Sequence, residues 1–176
     1  LSIVNFLLHS FFIIRLNLSK EIGKCRMTSA LFDDLAARYD ETFTSTEIGK
    51  LQRARVWNYL DSFLPNRPIN ILELNCGTGE DAIWFAKKRH KVLATDISEK
   101  MVDVARLKVE QANLSDKITT GQLDINEIDK ILTANKFDLV FSNFGGLNCL
   151  TDSELTVLSR RLKNLLTSTG RFVAVV

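Results

Sequence analysis

From Ile69 to the end of the chain, short apolar runs alternate with longer stretches whose apolar residues recur at helical spacing. The runs are INILEL (69–74), KVLAT (91–95), 117–123, KFDLVFS (136–142) and RFVAVV (171–176). Between them, Ser98 can cap a helix that carries Val102, Ala105, Val109 and Ala112 on one face. Thr151-x-x-Glu154 reads as a capping box ahead of a buried stripe of Leu155, Leu158, Leu162, Leu165 and Leu166. Strands joined through helices lie parallel, because each crossover must return the chain to the same end of the sheet. The expected fold class is therefore α/β: a doubly wound, mostly parallel sheet with helices on both faces. Upstream, Phe32, Leu35, Ala36, Tyr39 and Phe43 fall at helical spacing. A second helix is expected from Glu47 to Leu64, stopped by Pro65-Asn66-Arg67-Pro68.

With 176 residues, 45% hydrophobic and 25% charged, the chain reads as one ordinary globular domain. Its net charge of +2 is unevenly placed. Residues 1–26 hold Arg15, Lys20, Lys24 and Arg26 against Glu21, which leaves the rest slightly acidic. That balance gives no footprint for a polyanion, so no nucleic-acid partner is expected. Cys25, Cys76 and Cys149 lack C-x-x-C spacing. This argues against a metal site or disulfide framework and for the cytoplasm. The opening stretch LSIVNFLLHSFFII is too short for a spanning helix, which needs about 20 residues. It also lacks the basic start of a signal peptide, so no membrane partner is expected. Residues 1–26 read as a non-native or disordered leader, with a membrane-surface or targeting segment as the alternative, and the domain as 27–176.

Ligands of open parallel sheets bind at the carboxyl ends of the strands. Those ends hold Glu73 to Gly79, Asp96-Ile97, Asp124-Ile125 and Ser142 to Gly146. Gly77-x-Gly79 between strand and helix brings backbone close to a ligand. Asp96 can accept from both hydroxyls of a ribose, and Asp124 from an exocyclic amine of adenine, with Ile97 and Ile125 flanking the ring. Asn143 and Gly145-Gly146 offer carbonyls and an amide to an ammonium group. Cys76 reads as a small residue packed beside a cofactor rather than a nucleophile. Gly77-x-Gly79-x-x-Ala82 also satisfies the dinucleotide fingerprint, which keeps an NAD(P)-dependent oxidoreductase as an alternative. Helix starts compete for the acids: Asp96 precedes Ser98, and Asp124 opens Asp-Ile-Asn-Glu. The basic run 87–91 reads as cations at a helix C-terminus, and Trp57 and Trp84 as packing.

Glu73-x-Asn75-x-Gly77-x-Gly79, ATDIS on the second strand, Asp124 after the third and FDLVFSN on the fourth resemble class I S-adenosylmethionine-dependent methyltransferases. FDDLAARYD (32–40) resembles their cofactor-covering segment, and the resemblance extends over residues 28–176. It implies a Rossmann-like fold and S-adenosyl-L-methionine as cofactor. Glu73 and the backbone of Asn75, Cys76, Gly77 and Gly79 would hold the methionine part. Asp96 would take the ribose, Ile97 and Ile125 the adenine faces, and Asp124 the adenine amine. The backbone of Asn143, Phe144 and Gly145 would receive the ammonium group, Tyr39 would close over the carboxylate, and Met101 is a further cofactor contact. Asn75 stands where the family usually has glycine; asparagine tolerates left-handed backbone.

The implied activity is methyl transfer to a small-molecule acceptor, with a cofactor-binding protein without catalysis as the alternative. Asn143-Phe144-Gly145 lacks the Pro-Pro-aromatic continuation of enzymes that act on DNA bases. Neither His9 nor His90 has a partner in the sequence, so no catalytic base is assigned. The family also implies two strands beyond RFVAVV. Without them that run is expected to be an exposed apolar edge, giving a chain that aggregates and methylates poorly.

Overall fold

The computed structural model describes residues 2–4, 11–15, 29–131, 135–144 and 146–175. Its strands are β1 (Ser2–Val4), β2 (Phe11–Arg15), β3 (Asn70–Leu74), β4 (Lys91–Asp96), β5 (Ile118–Gln122), β6 (Phe137–Ser142) and β7 (Leu166–Val175). The helices are α1 (Ser29–Leu35), α2 (Glu47–Asp61), α3 (Glu80–Lys87), α4 (Glu99–Gln111) and α5 (Asp152–Leu165). One sheet runs in the order β1-β2-β7-β6-β3-β4-β5. All neighbours pair in parallel except β1 and β2. The doubly wound α/β expectation is met.

The chain leaves β3 toward β5 and then returns to β6 on the other side of β3. Adjacent crossovers therefore diverge between β3 and β6, and this gap at the strand ends is the topological switch point. Two apolar cores flank the sheet. One joins Ile71, Leu139 and Phe141 to Val56 and Leu60 of α2 and Ala82 and Phe85 of α3. The other joins Leu72, Leu74 and Val140 to Leu158 and Leu162 of α5. Alternate residues of β3 thus serve opposite faces, as the period of a strand requires. Glu73 falls among the residues of the first face and is 1% exposed.

Local chemistry sets the element ends. Ser98 caps α4 by accepting from the Met101 N–H at 3.1 Å. Thr151 and Glu154 form the expected capping box of α5. Lys88, at the end of α3, pairs with Asp61 at 2.7 Å and lies over the Trp84 ring, so this part of the basic run is used locally.

Three expectations change. The helix expected through Phe43 ends at Leu35 and gives way to a 3-10 turn (Ala36–Arg38) and a π-turn (Asp40–Thr44). There the Thr42 hydroxyl donates to the Arg38 carbonyl at 2.9 Å, a local bond that competes with the helical ladder. Leu166 does not lie on the stripe of α5. It opens β7 opposite Phe137, five residues earlier than RFVAVV, in a segment whose threonines favour extended backbone. Finally, the edge of β7 is not exposed. Phe11–Ile14 pairs along Phe172–Val175, so part of the leader extends the sheet instead of lying outside it.

Candidate functional site

The turn after β3 is held in left-handed backbone at three alternate positions: Asn75 at φ 57°, Gly77 at 52° and Gly79 at 83°. Gly79 starts α3, and a Cβ there would stand 3.0 Å from the Ala105 Cβ, so glycine lets α3 approach α4. A Cβ at Gly77 would meet the Tyr39 ring at 3.9 Å, which places that ring over the turn. Asparagine serves at 75 because its αL cost is small. Its amide also crosses the switch point and donates to Ser142 Oγ at 3.1 Å.

Asp96 closes the turn from the end of β4. It accepts from the Gly77 N–H at 2.9 Å and the Ser98 N–H at 3.0 Å. It therefore holds the glycine turn and also fills the helix-start role. Burial raises its carboxyl, against the pull of those N–H groups. Glu73 Oε2 is buried without a partner. Burial first, then repulsion from Asp81, pushes the Glu73 carboxyl well above the carboxylate range, and Arg53 only partly opposes this. Burial likewise raises the Cys76 thiol well above its ordinary value, so it stays protonated and packs in the first core.

Sequence reasoning missed the hub beside Glu73. Asp81 of α3 is 3% exposed. It accepts from Arg53 at 3.0 Å, Trp57 Nε1 at 2.6 Å and Asn143 Nδ2 at 2.9 Å. The only signal in the sequence was a carboxylate directly ahead of the buried run of α3. Arg53 carried none, because its partner lies on another helix. Arg53 Nε is buried without a partner, and its guanidinium sits 4.8 Å from the Phe144 ring centroid. Trp57 also stacks on Trp84, 5.3 Å apart and 9° from parallel, as packing predicts.

The Asn143 side chain is committed: besides Asp81, it accepts from the Phe144 N–H at 2.9 Å. Only its backbone remains for a ligand. Phe144 has φ 51°, unusual for an aromatic residue and held by its surroundings. Its ring meets Phe43 edge-on at 5.2 Å, and Phe43 lies 5.6 Å from Tyr39. These three rings and Arg53 form an aromatic lip beside the switch point. Burial raises the Tyr39 phenol, so it remains neutral. Gly145 lies outside the described residues.

A groove of about 550 Å³ opens at the ends of β4 and β5, lined by Thr95, Ile97, Leu123 and Asp124 among others. Asp124 caps the following 3-10 turn, accepting from the Asn126 N–H at 2.8 Å. Ile97 lines this groove, and Ile125, half-buried, packs against the second core. Met101 is 1% exposed and belongs to the interior.

A methyltransferase domain model matches residues 71–170. Demethylmenaquinone methyltransferase of Bacteroides fragilis is 31% identical over 131 residues, which are 72% of this chain and 51% of that protein. The tRNA 5-carboxymethoxyuridine methyltransferase of Escherichia coli is 31% identical over 90 residues, 49% of this chain and 34% of that one. The chain thus spans about half the length of the first relative and a third of the second. Among solved structures, the complex of DhpI with SAH superimposes with a TM-score of 0.65 over 81% of this chain and 63% of that one, at 20% identity. The domain match spans the glycine turn, the Asp96 end of β4 and the loop after β6, and the fold agrees: the chain belongs to the class I S-adenosylmethionine-dependent methyltransferases.

Proposed function

We propose that the protein transfers a methyl group from S-adenosylmethionine to a small-molecule acceptor. The observation that carries this reading is the pair of buried, unpartnered polar atoms at the switch point, Glu73 Oε2 and Arg53 Nε. A buried polar atom without a partner is costly, and a ligand that supplies both an ammonium and a carboxylate removes both costs. The amino-acid part of the cofactor has those two groups. In this reading Glu73 and the Asn143 backbone receive the ammonium, and Arg53, with Tyr39 above it, the carboxylate. Asp96 takes the ribose, while Ile97 and Asp124 line the adenine groove.

Among the described residues, Asp81 and Asp96 outnumber the buried cation of the cleft, Arg53. An acidic cleft favours the sulfonium form of the cofactor over its neutral product, which supports turnover. The bound cofactor supplies an electrophilic methyl. What the chain adds is orientation and exclusion of water, to which the Tyr39, Phe43 and Phe144 rings contribute. Those rings suit a flat or apolar acceptor. The slightly acidic charge outside the leader disfavours a polynucleotide.

The test is transfer of labelled methyl from S-adenosylmethionine into a metabolite extract and, separately, into unmodified tRNA. Label in small molecules alone is expected. Label in tRNA alone would replace the acceptor class, and cofactor binding without any labelled product would leave a binding protein.

A further inference from the structure

The segment that carries Tyr39 is fastened to the cofactor side of the sheet at two points, through the side chains of Thr78 and Lys108 at one and of Ser98 at the other. Asp40, next to Tyr39, accepts from Thr78 Oγ1 at 2.5 Å and from Lys108 Nζ at 2.7 Å. Thr78 lies inside the glycine turn and is 2% exposed. Lys108, on α4, is shared with Glu80 of α3 at 2.5 Å. One half-buried lysine thus joins the covering segment, the start of α3 and the body of α4. On the other side of Tyr39, Asp33 Oδ1 accepts from Ser98 Oγ at 2.6 Å. Between the two fastenings the backbone passes from the end of α1 into a 3-10 turn, and a π-turn begins at Asp40; both turns are weaker than an α-helix.

A covering segment with weak internal structure keeps its position only through such external ties. Burial raises the Asp40 carboxyl, but the bonds from Lys108 and Thr78 outweigh it and hold the group below the ordinary carboxylate range. The tie is therefore a charged one, sensitive to salt.

We propose that Asp40 is a positioning residue. Through Lys108 and Thr78 it holds Tyr39 over the glycine turn, and the strength of this clasp sets how long the cofactor product stays bound. Opening it frees the segment between Asp33 and Thr46 to swing away from Gly77. The inference rests on the cofactor reading of the cleft.

The test is stopped-flow release of S-adenosylhomocysteine from the full chain, at low salt and at about 0.5 M salt. Lys108→Met and Asp40→Asn are expected to speed release about tenfold, the factor that corresponds to one charge-assisted hydrogen bond. Salt should speed release from the unsubstituted protein but hardly affect Lys108→Met. Lys108→Arg, which keeps the charge, should restore slow, salt-sensitive release. A purely structural role predicts a different pattern: lower melting temperatures with release rates unchanged, which would overturn the clasp alone. No binding of S-adenosylhomocysteine by the unsubstituted protein would overturn the cofactor reading, and the clasp with it.

Discussion

The amide of Asn75 occupies the space that a side chain at Gly146 would need. A Cβ at 146 would lie 2.1 Å from Asn75 Nδ2 and 2.7 Å from Asn75 Cβ. The residue that departs from the usual glycine is thus accommodated by a glycine across the switch point, where it also bonds Ser142. Gly146→Ala should destabilise the chain by about 1–3 kcal/mol, the usual cost of overpacking. Asn75→Gly should remove most of that cost, because glycine also adopts φ 57° without strain. Urea denaturation of the two single variants and the double variant measures the coupling. Additive effects would show that the two positions are not packed together.

Asp81 is the partner of a buried cation, with side-chain exposures of 9% for Arg53 and 4% for Asp81. Asp81→Ala leaves Arg53, Trp57 and Asn143 without their acceptor and should cost about 3–5 kcal/mol. Chemical denaturation gives the number. A loss below about 1 kcal/mol would mean that water replaces the carboxylate.

Glu73 gives a pH dependence with a definite sign. Its carboxyl is raised in the fold, so the folded chain keeps a proton that the unfolded chain loses above roughly pH 4.3. The stability this contributes is present in full below that value and is lost as pH rises through the folded value. Glu73→Gln should flatten this loss. An incoming ammonium favours the ionised form, so binding of S-adenosylmethionine at a pH below the folded value should release a proton. Calorimetry in two buffers of different ionisation enthalpy reads that release directly. Equal release from Glu73→Gln would assign the proton to another group.

Deleting residues 1–26 removes β2 from the edge of β7, where Phe11–Ile14 covers Phe172–Val175. The exposed apolar edge should promote self-association while cofactor binding, which rests on β3 to β6, persists. Light scattering and a binding assay on the shortened chain test the two halves. An unchanged monomer would mean that the leader strand contributes nothing to the edge.

Much of the fold was legible because local signals agreed with it. Ser98 and Thr151 start their helices as the capping chemistry demands, and Gly77 and Gly79 mark the turn after β3 that needs left-handed backbone. Asp96 was legible as a residue at the strand end, but its two backbone partners were not, since they follow from how the turn folds back over β4. The Arg53–Asp81 pair was invisible because it joins two helices 28 positions apart, with no motif at either end. The pairing of β2 with β7 was equally hidden, since an apolar run does not specify its partner strand. Nor was the packing of Ile125 legible. Position after a strand does not fix which face a 3-10 turn buries, and here the second core takes it.

The central claim is that the strand ends from Glu73 to Asn143 hold S-adenosylmethionine. Isothermal titration of the 176-residue chain with S-adenosylmethionine, S-adenosylhomocysteine and NAD, repeated on Asp96→Ala, tests it most directly. The account predicts that both methionine-derived ligands bind and that NAD does not compete. It also predicts that Asp96→Ala weakens them by about 1.5–3 kcal/mol, the range for hydrogen bonds to a charged group. NAD binding more tightly than both, or affinities unchanged in Asp96→Ala, would contradict it.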